Sequence, residues 1–118
     1  PFNANGAAQA AGVAALGDTD FIDAAVAHNE QWLPWLENEF KSIGLTVHPS
    51  IANFVLIEFD HSPPRSAAEV YNYLLGNGVI GRELNGYGLP DCLRFSVGLK
   101  EDNHLLVDLM TRYFKADE

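Results

Sequence analysis

Two arginines of this acidic chain, Arg82 and Arg94, stand where a cation needs a reason to be. Arg82 ends the apolar run Gly78-Val79-Ile80-Gly81, and Arg94 interrupts the strand-like run from Cys92 to Gly98. In the second run Leu93, Phe95 and Val97 alternate with Cys92, Arg94 and Ser96, so a period of two puts the apolar trio on one face and the guanidinium on the other. That second face is expected to line a cleft. A guanidinium on a rigid strand presents a planar fork of donors that fits a carboxylate or phosphate bidentately, and each charge-assisted bond is worth roughly 1.5–3 kcal/mol. The competing reading is a salt bridge to one of the sixteen acidic residues.

Other apparent motifs fail on their spacing. Asp60-His61-Ser62 has the residue types of a hydrolase triad, but neighbours in one turn cannot face each other as nucleophile, base and orienter must. His28, His48, His61 and His104 form no i,i+4 pair and have no cysteine beside them, so no metal site is expected. Gly81, Gly86 and Gly88 are not followed by Gly-Lys-Ser/Thr, which excludes a phosphate loop and leaves them a role in turning the backbone. The pairs Glu37/Glu39 and Asp18/Asp20 belong to solvated helix surface or a cap. No residue is assigned a catalytic role.

Composition bounds the partners. The 118 residues make one domain's worth of chain with 47% hydrophobic content, enough for a real core. A net charge of -9 with seven unclustered Lys and Arg gives no footprint for nucleic acid or an anionic membrane, so any bound anion must be held locally. No run is long enough to span a bilayer, and the single cysteine, Cys92, excludes a disulfide framework and fits a small core residue in a reducing compartment. A cytoplasmic protein is expected. The chain opens at Pro1 rather than methionine, so it is expected to be a piece of something longer.

The elements that must position the arginines follow from periodicity. Gly6 to Leu16 is an alanine-rich helix whose Val13 and Leu16 lack apolar companions, as though it packs on something outside this chain. Asp18 caps a long second helix with Ile22, Val26, Leu33, Leu36, Phe40 and Ile43 on one stripe, and Pro34 inside it predicts a kink or break near residues 30–34. Leu45 to His48 and Asn53 to Phe59 read as strands, the latter apolar on both faces and therefore central. Ser66 with Glu69 has capping-box spacing for a third helix, followed by a strand from Val79 to Arg82, a loop from Asn85 to Asp91, a strand from Cys92 to Val97 and a last helix from Lys100. The expected fold class is α+β, a small sheet with helices, layered two deep.

The segment from Gly78 to Gly98 closely resembles the C-terminal part of histidinol-phosphate aminotransferases. Pro1 to Asn5 with Ala8 to Ala11, Asn29 with Trp32 to Leu36, and Pro49 to Leu56 are similar to that family too. The resemblance implies a fold-type I pyridoxal-phosphate enzyme of histidine biosynthesis. Residues 1–17 would be the trailing helix of an absent large cofactor domain, and residues 18–118 a small substrate-recognition domain that helps close the site. Arg94 then matches the arginine that binds the substrate's acid group, and Arg82 a second substrate-binding arginine. Partners implied are histidinol phosphate with 2-oxoglutarate or glutamate, pyridoxal 5'-phosphate in the full-length enzyme, and a second copy in a homodimer. Lys41, Lys100 and Lys115 read as helix surface or cap, and the family's cofactor lysine precedes the segment matching Pro1, so this chain alone is expected to bind no cofactor and to be inactive. One departure is Gly81-Arg82-Glu83, where the family often has Val-Arg-Pro; Glu83 could pair with Arg82 and weaken its hold on a ligand. Alternatives are a phosphoamino-acid decarboxylase of the same fold, another amino-acid transaminase, or a non-catalytic anion-binding or oligomerisation module.

Overall fold

A computed structural model describes residues 3–116. Asn5 opens the alanine-rich helix α1 (Gly6–Gly17) by accepting the Ala8 N–H on its side chain at 2.8 Å, which satisfies one of the donors a helix start leaves orphaned. Asp18 does the same for α2 (Thr19–Ser42), accepting from Phe21 N–H at 3.2 Å. No residue of α1 is buried, and Val13 and Leu16 are exposed. The helix α2 continues through Pro34, so of the kink or break expected near residues 30–34 the break is absent. Pro34 is exposed, which lets water serve the Glu30 carbonyl that the ring deprives of its partner. By internal contacts the chain divides into residues 1–30 and residues 31–118.

Within the second unit, β1 (Thr46–His48), β2 (Phe54–Glu58), β3 (Arg82–Leu84) and β4 (Leu89–Ser96) form one antiparallel sheet in the order β1-β2-β4-β3. Val47, Val55, Ile57, Leu93 and Phe95 alternate onto one face, where they meet Leu33, Leu36 and Phe40 of α2, Val70 and Leu74 of α3 (Ala67–Gly76), and Leu106, Met110 and Phe114 of α4 (Lys100–Lys115). Burying each such side chain contributes about 1.5–3 kcal/mol. The helices therefore cover one face only. On the other stand His48, Phe54, Leu56, Glu58, Cys92, Arg94 and Arg82, none of them in this core cluster. The two-layer α+β architecture and the central place of β2 are as the sequence predicts.

Three local expectations are corrected. Pairing on the far edge involves Arg82–Leu84 rather than Val79–Arg82. The predicted loop 85–91 contracts to a single 3-10 turn (Asn85–Tyr87) closed by Gly88 at φ 73, a left-handed value that glycine adopts without penalty, so β4 begins at Leu89. Ser66 caps α3 without a side-chain hydrogen bond; its carbonyl instead accepts the Val70 N–H at 3.0 Å. Among the described residues no helix is long and apolar enough to cross a membrane.

Candidate anion site

Register turns the alternation along β4 into a site. Arg82 pairs directly with Arg94 across β3 and β4, while Leu56 of β2 faces Arg94 from the other side. Directly paired residues project to one face of a sheet, so both guanidiniums rise from the face the helices leave open. Like charges directly opposite each other are destabilising. The pair persists in the fold without an acidic partner: among the described residues the ion pairs are His48–Glu58 and His61–Asp91, and no carboxylate lies within 4.0 Å of either arginine.

Aromatic rings hold the two side chains instead. The Arg94 guanidinium carbon lies 4.9 Å from the centroid of Phe54, a cation–π contact worth about 0.5–1 kcal/mol at a partly exposed position. Arg82 lies 5.9 Å from the Tyr87 ring centroid and donates a long bond of 3.3 Å to the Tyr87 hydroxyl. Among the described residues Arg94 donates no side-chain hydrogen bond and Arg82 only the one to Tyr87, so most of their N–H donors are available. Glu83 does not compromise this arrangement. It pairs with Leu93 and so alternates to the opposite side of β3 from Arg82, and its carboxylate accepts from Asn85 Nδ2 at 3.3 Å.

Residues Arg82 and Arg94 also border an open cleft of about 720 Å³ whose other walls include Phe95 and, from the helix layer, Tyr71 of α3 and Asp102 and Leu105 of α4. Glu83 and Asp102 also border it, so the acidic and basic side chains around the cleft are mixed. Two backbone features fix the walls. Gly81, immediately before Arg82, lies so close to Phe95 that an ideal Cβ would stand 2.7 Å from Cε1 of the ring. Asn103, 2% exposed, accepts the Gly98 N–H at 2.8 Å and donates back to the Gly98 carbonyl at 2.9 Å, clamping the segment that leaves β4.

Sequence reasoning did not single out Asn103, although a signal exists. It occupies the stripe Asn103, Leu106, Val107, Met110, Phe114, and a polar residue in an apolar stripe needs partners. Asp60-His61-Ser62 is a turn region in which His61 reaches Asp91 at 3.1 Å rather than Ser62. Cys92 is buried, as expected; burial raises its thiol pKa, and the negative charges of Glu58 and Asp91 push the same way.

An antiparallel sheet backed by helices on one face has the fold of the small C-terminal domain of fold-type I pyridoxal-phosphate aminotransferases. A Burkholderia pseudomallei K96243 chain assigned as an aminotransferase superposes with a TM-score of 0.76 at 27% identity, over 86% of this chain and 30% of that one. The histidinol-phosphate aminotransferase of Clostridium acetobutylicum shares the fold, with a TM-score of 0.75 at 21% identity over 84% of this chain and 30% of that one. In sequence, the chain is 45% identical to the histidinol-phosphate aminotransferase of Maricaulis maris (strain MCS10) over 116 residues, 98% of this chain and 32% of the relative. Residues 1–108 match the family described as aminotransferase class I and II, and the chain belongs to that family. It spans about a third of the length of the curated relatives it matches.

Pyridoxal phosphate needs a lysine to anchor it and a carboxylate beside its ring nitrogen, so that the ring can act as an electron sink. Lys41, Lys100 and Lys115 lie exposed on α2 and α4, and no lysine lines the cleft. The described residues do not make up a cofactor-holding set.

Proposed function

We propose that this chain is the substrate-recognition part of a pyridoxal-phosphate-dependent histidinol-phosphate aminotransferase, a cytoplasmic homodimer serving histidine biosynthesis. Residues 1–17 would associate with the cofactor domain and residues 18–118 form the small domain. The observation that carries the reading is the cross-strand Arg82–Arg94 pair, two cations opposed without a carboxylate between them. An anionic substrate group relieves that repulsion and takes up donors that the aromatic contacts leave open. Arg94, half-buried on a central strand against Phe54, serves as the main clamp for the carboxylate or phosphate. Arg82, exposed on the edge strand, supplies the second fork. By fixing the acid end, the pair orients the amino end toward chemistry performed elsewhere in the enzyme.

The test is Arg94→Lys in the full-length protein. Lysine keeps the charge but loses the bidentate fork, which removes roughly 1.5–3 kcal/mol of binding and lowers kcat/KM for histidinol phosphate by about tenfold to a hundredfold. The absorbance of bound cofactor should be unaltered. Unchanged kinetics would overturn the assignment.

A further inference from the structure

Three side chains distant in sequence meet on the open face of the sheet, on the side away from Arg82. Glu58 of β2 pairs directly with Cys92 of β4, and His48 of β1 is the diagonal neighbour of Glu58, because His48 pairs with Leu56. A His48 ring nitrogen, a Glu58 carboxylate oxygen and Cys92 Sγ all lie within 4.8 Å of one another. We propose that His48, Glu58 and Cys92 form a binding site for a borderline-soft divalent cation of the zinc class, with solvent at the fourth position.

Donor chemistry selects the class. An imidazole nitrogen, a carboxylate oxygen and a thiolate sulfur suit Zn2+ or Co2+, whereas Mg2+ and Ca2+ take all-oxygen shells. Spacing is compatible too. Tetrahedral coordination at ordinary zinc bond lengths places neighbouring donors about 3.3–3.6 Å apart. The His48–Glu58 contact of 2.9 Å must open by a few tenths of an ångström, and the thiol must close by about 1.5 Å at most. Both adjustments are within reach, since the His48 and Glu58 side chains are 44% and 48% exposed and only Cys92 is buried. Three adjacent strands hold the donors, so little backbone freedom is lost on binding. Exposure of two ligands leaves a route in from solvent and an open coordination position. A cation there would also neutralise the Glu58 charge that faces the thiol, and binding would release the thiol proton to solvent.

The experiment is a Co2+ titration of the 118-residue chain followed by absorbance, with Zn2+ as competitor. Cys92 is the only cysteine, so a thiolate-to-cobalt charge-transfer band in the near ultraviolet can arise from this site alone. The expected result is a band that saturates at one Co2+ per chain and is erased by Zn2+. Cys92→Ser should abolish the band, and His48→Gln and Glu58→Gln should each weaken binding by about tenfold or more. The two latter changes fall on partly exposed side chains, so they retain their force even if Cys92→Ser fails to fold. Cobalt binding without the charge-transfer band, a band indifferent to both His48→Gln and Glu58→Gln, or no binding at all would each overturn the proposal.

Discussion

Replacing Gly81 with alanine tests whether the close approach between the segment before β3 and the ring of Phe95 sets the position of Arg82. The added Cβ would lie 2.7 Å from Cε1 and 3.0 Å from Cζ of Phe95, whereas carbon atoms pack best at about 3.5–4.0 Å. Roughly 1 Å must be found. The ring cannot supply it freely, because Phe95 is 3% exposed and belongs to the main core cluster. The backbone at residue 81 must yield instead, and Arg82 moves with it out of register with Arg94. Overpacking of this kind costs about 1–3 kcal/mol. At about 4–8 °C per kcal/mol for a unit of this size, Tm should fall measurably. Urea unfolding of the parent, Gly81→Ala, Phe95→Leu and the double variant completes a cycle. Removing the ring edge should reduce the cost of the alanine, giving a coupling of about 0.5–3 kcal/mol. If Gly81→Ala unfolds within about 0.3 kcal/mol of the parent, or costs the same in the Phe95→Leu background as in the parent, the steric reasoning is wrong.

Four further outcomes are expected. Asn103→Ala removes both bonds to Gly98 from a buried position and should lower stability by about 1–3 kcal/mol in urea unfolding, with the segment after β4 losing amide protection in hydrogen exchange. The folded Cys92 thiol should react with iodoacetamide more slowly than free cysteine near neutral pH, because its pKa is raised by burial and by Glu58 and Asp91; Glu58→Gln should speed the reaction. Since the folded form holds this proton more tightly, the thiol's contribution to stability is complete below the ordinary thiol range and is lost as pH rises through the raised pKa, which unfolding measured at increasing pH will show. Val13→Ser and Leu16→Ser should each change the unfolding free energy of the isolated chain by no more than about 0.5 kcal/mol, because α1 buries nothing.

Much of the fold was legible because its signals are local. A stripe at three-and-four spacing marked α2, alanine-rich composition marked α1, and Asp18 marked where α2 starts. The face carrying Arg94 followed from period-two alternation alone. What the sequence concealed depends on pairing. Val79 and Ile80 look more strand-like than Glu83 and Leu84, yet β4 pairs with the latter. The direct opposition of Arg82 and Arg94 depends on how tightly the chain reverses between Leu84 and Leu89. His48, Glu58 and Cys92 come from three strands, and only the register brings them together; local spacing, on which the expectation of no metal site rested, cannot detect such a cluster. Asn103 stood in plain view as a polar residue in an apolar stripe.

A sheet clothed on one side separates two kinds of evolutionary change. Along β2 and β4, alternate residues answer to the core and the rest answer to whatever arrives from outside. Exchanging an outward residue alters which molecules are welcomed and leaves the hydrophobic interior undisturbed. A lineage built on this scaffold can therefore acquire new clients by single substitutions without first passing through forms that cannot fold.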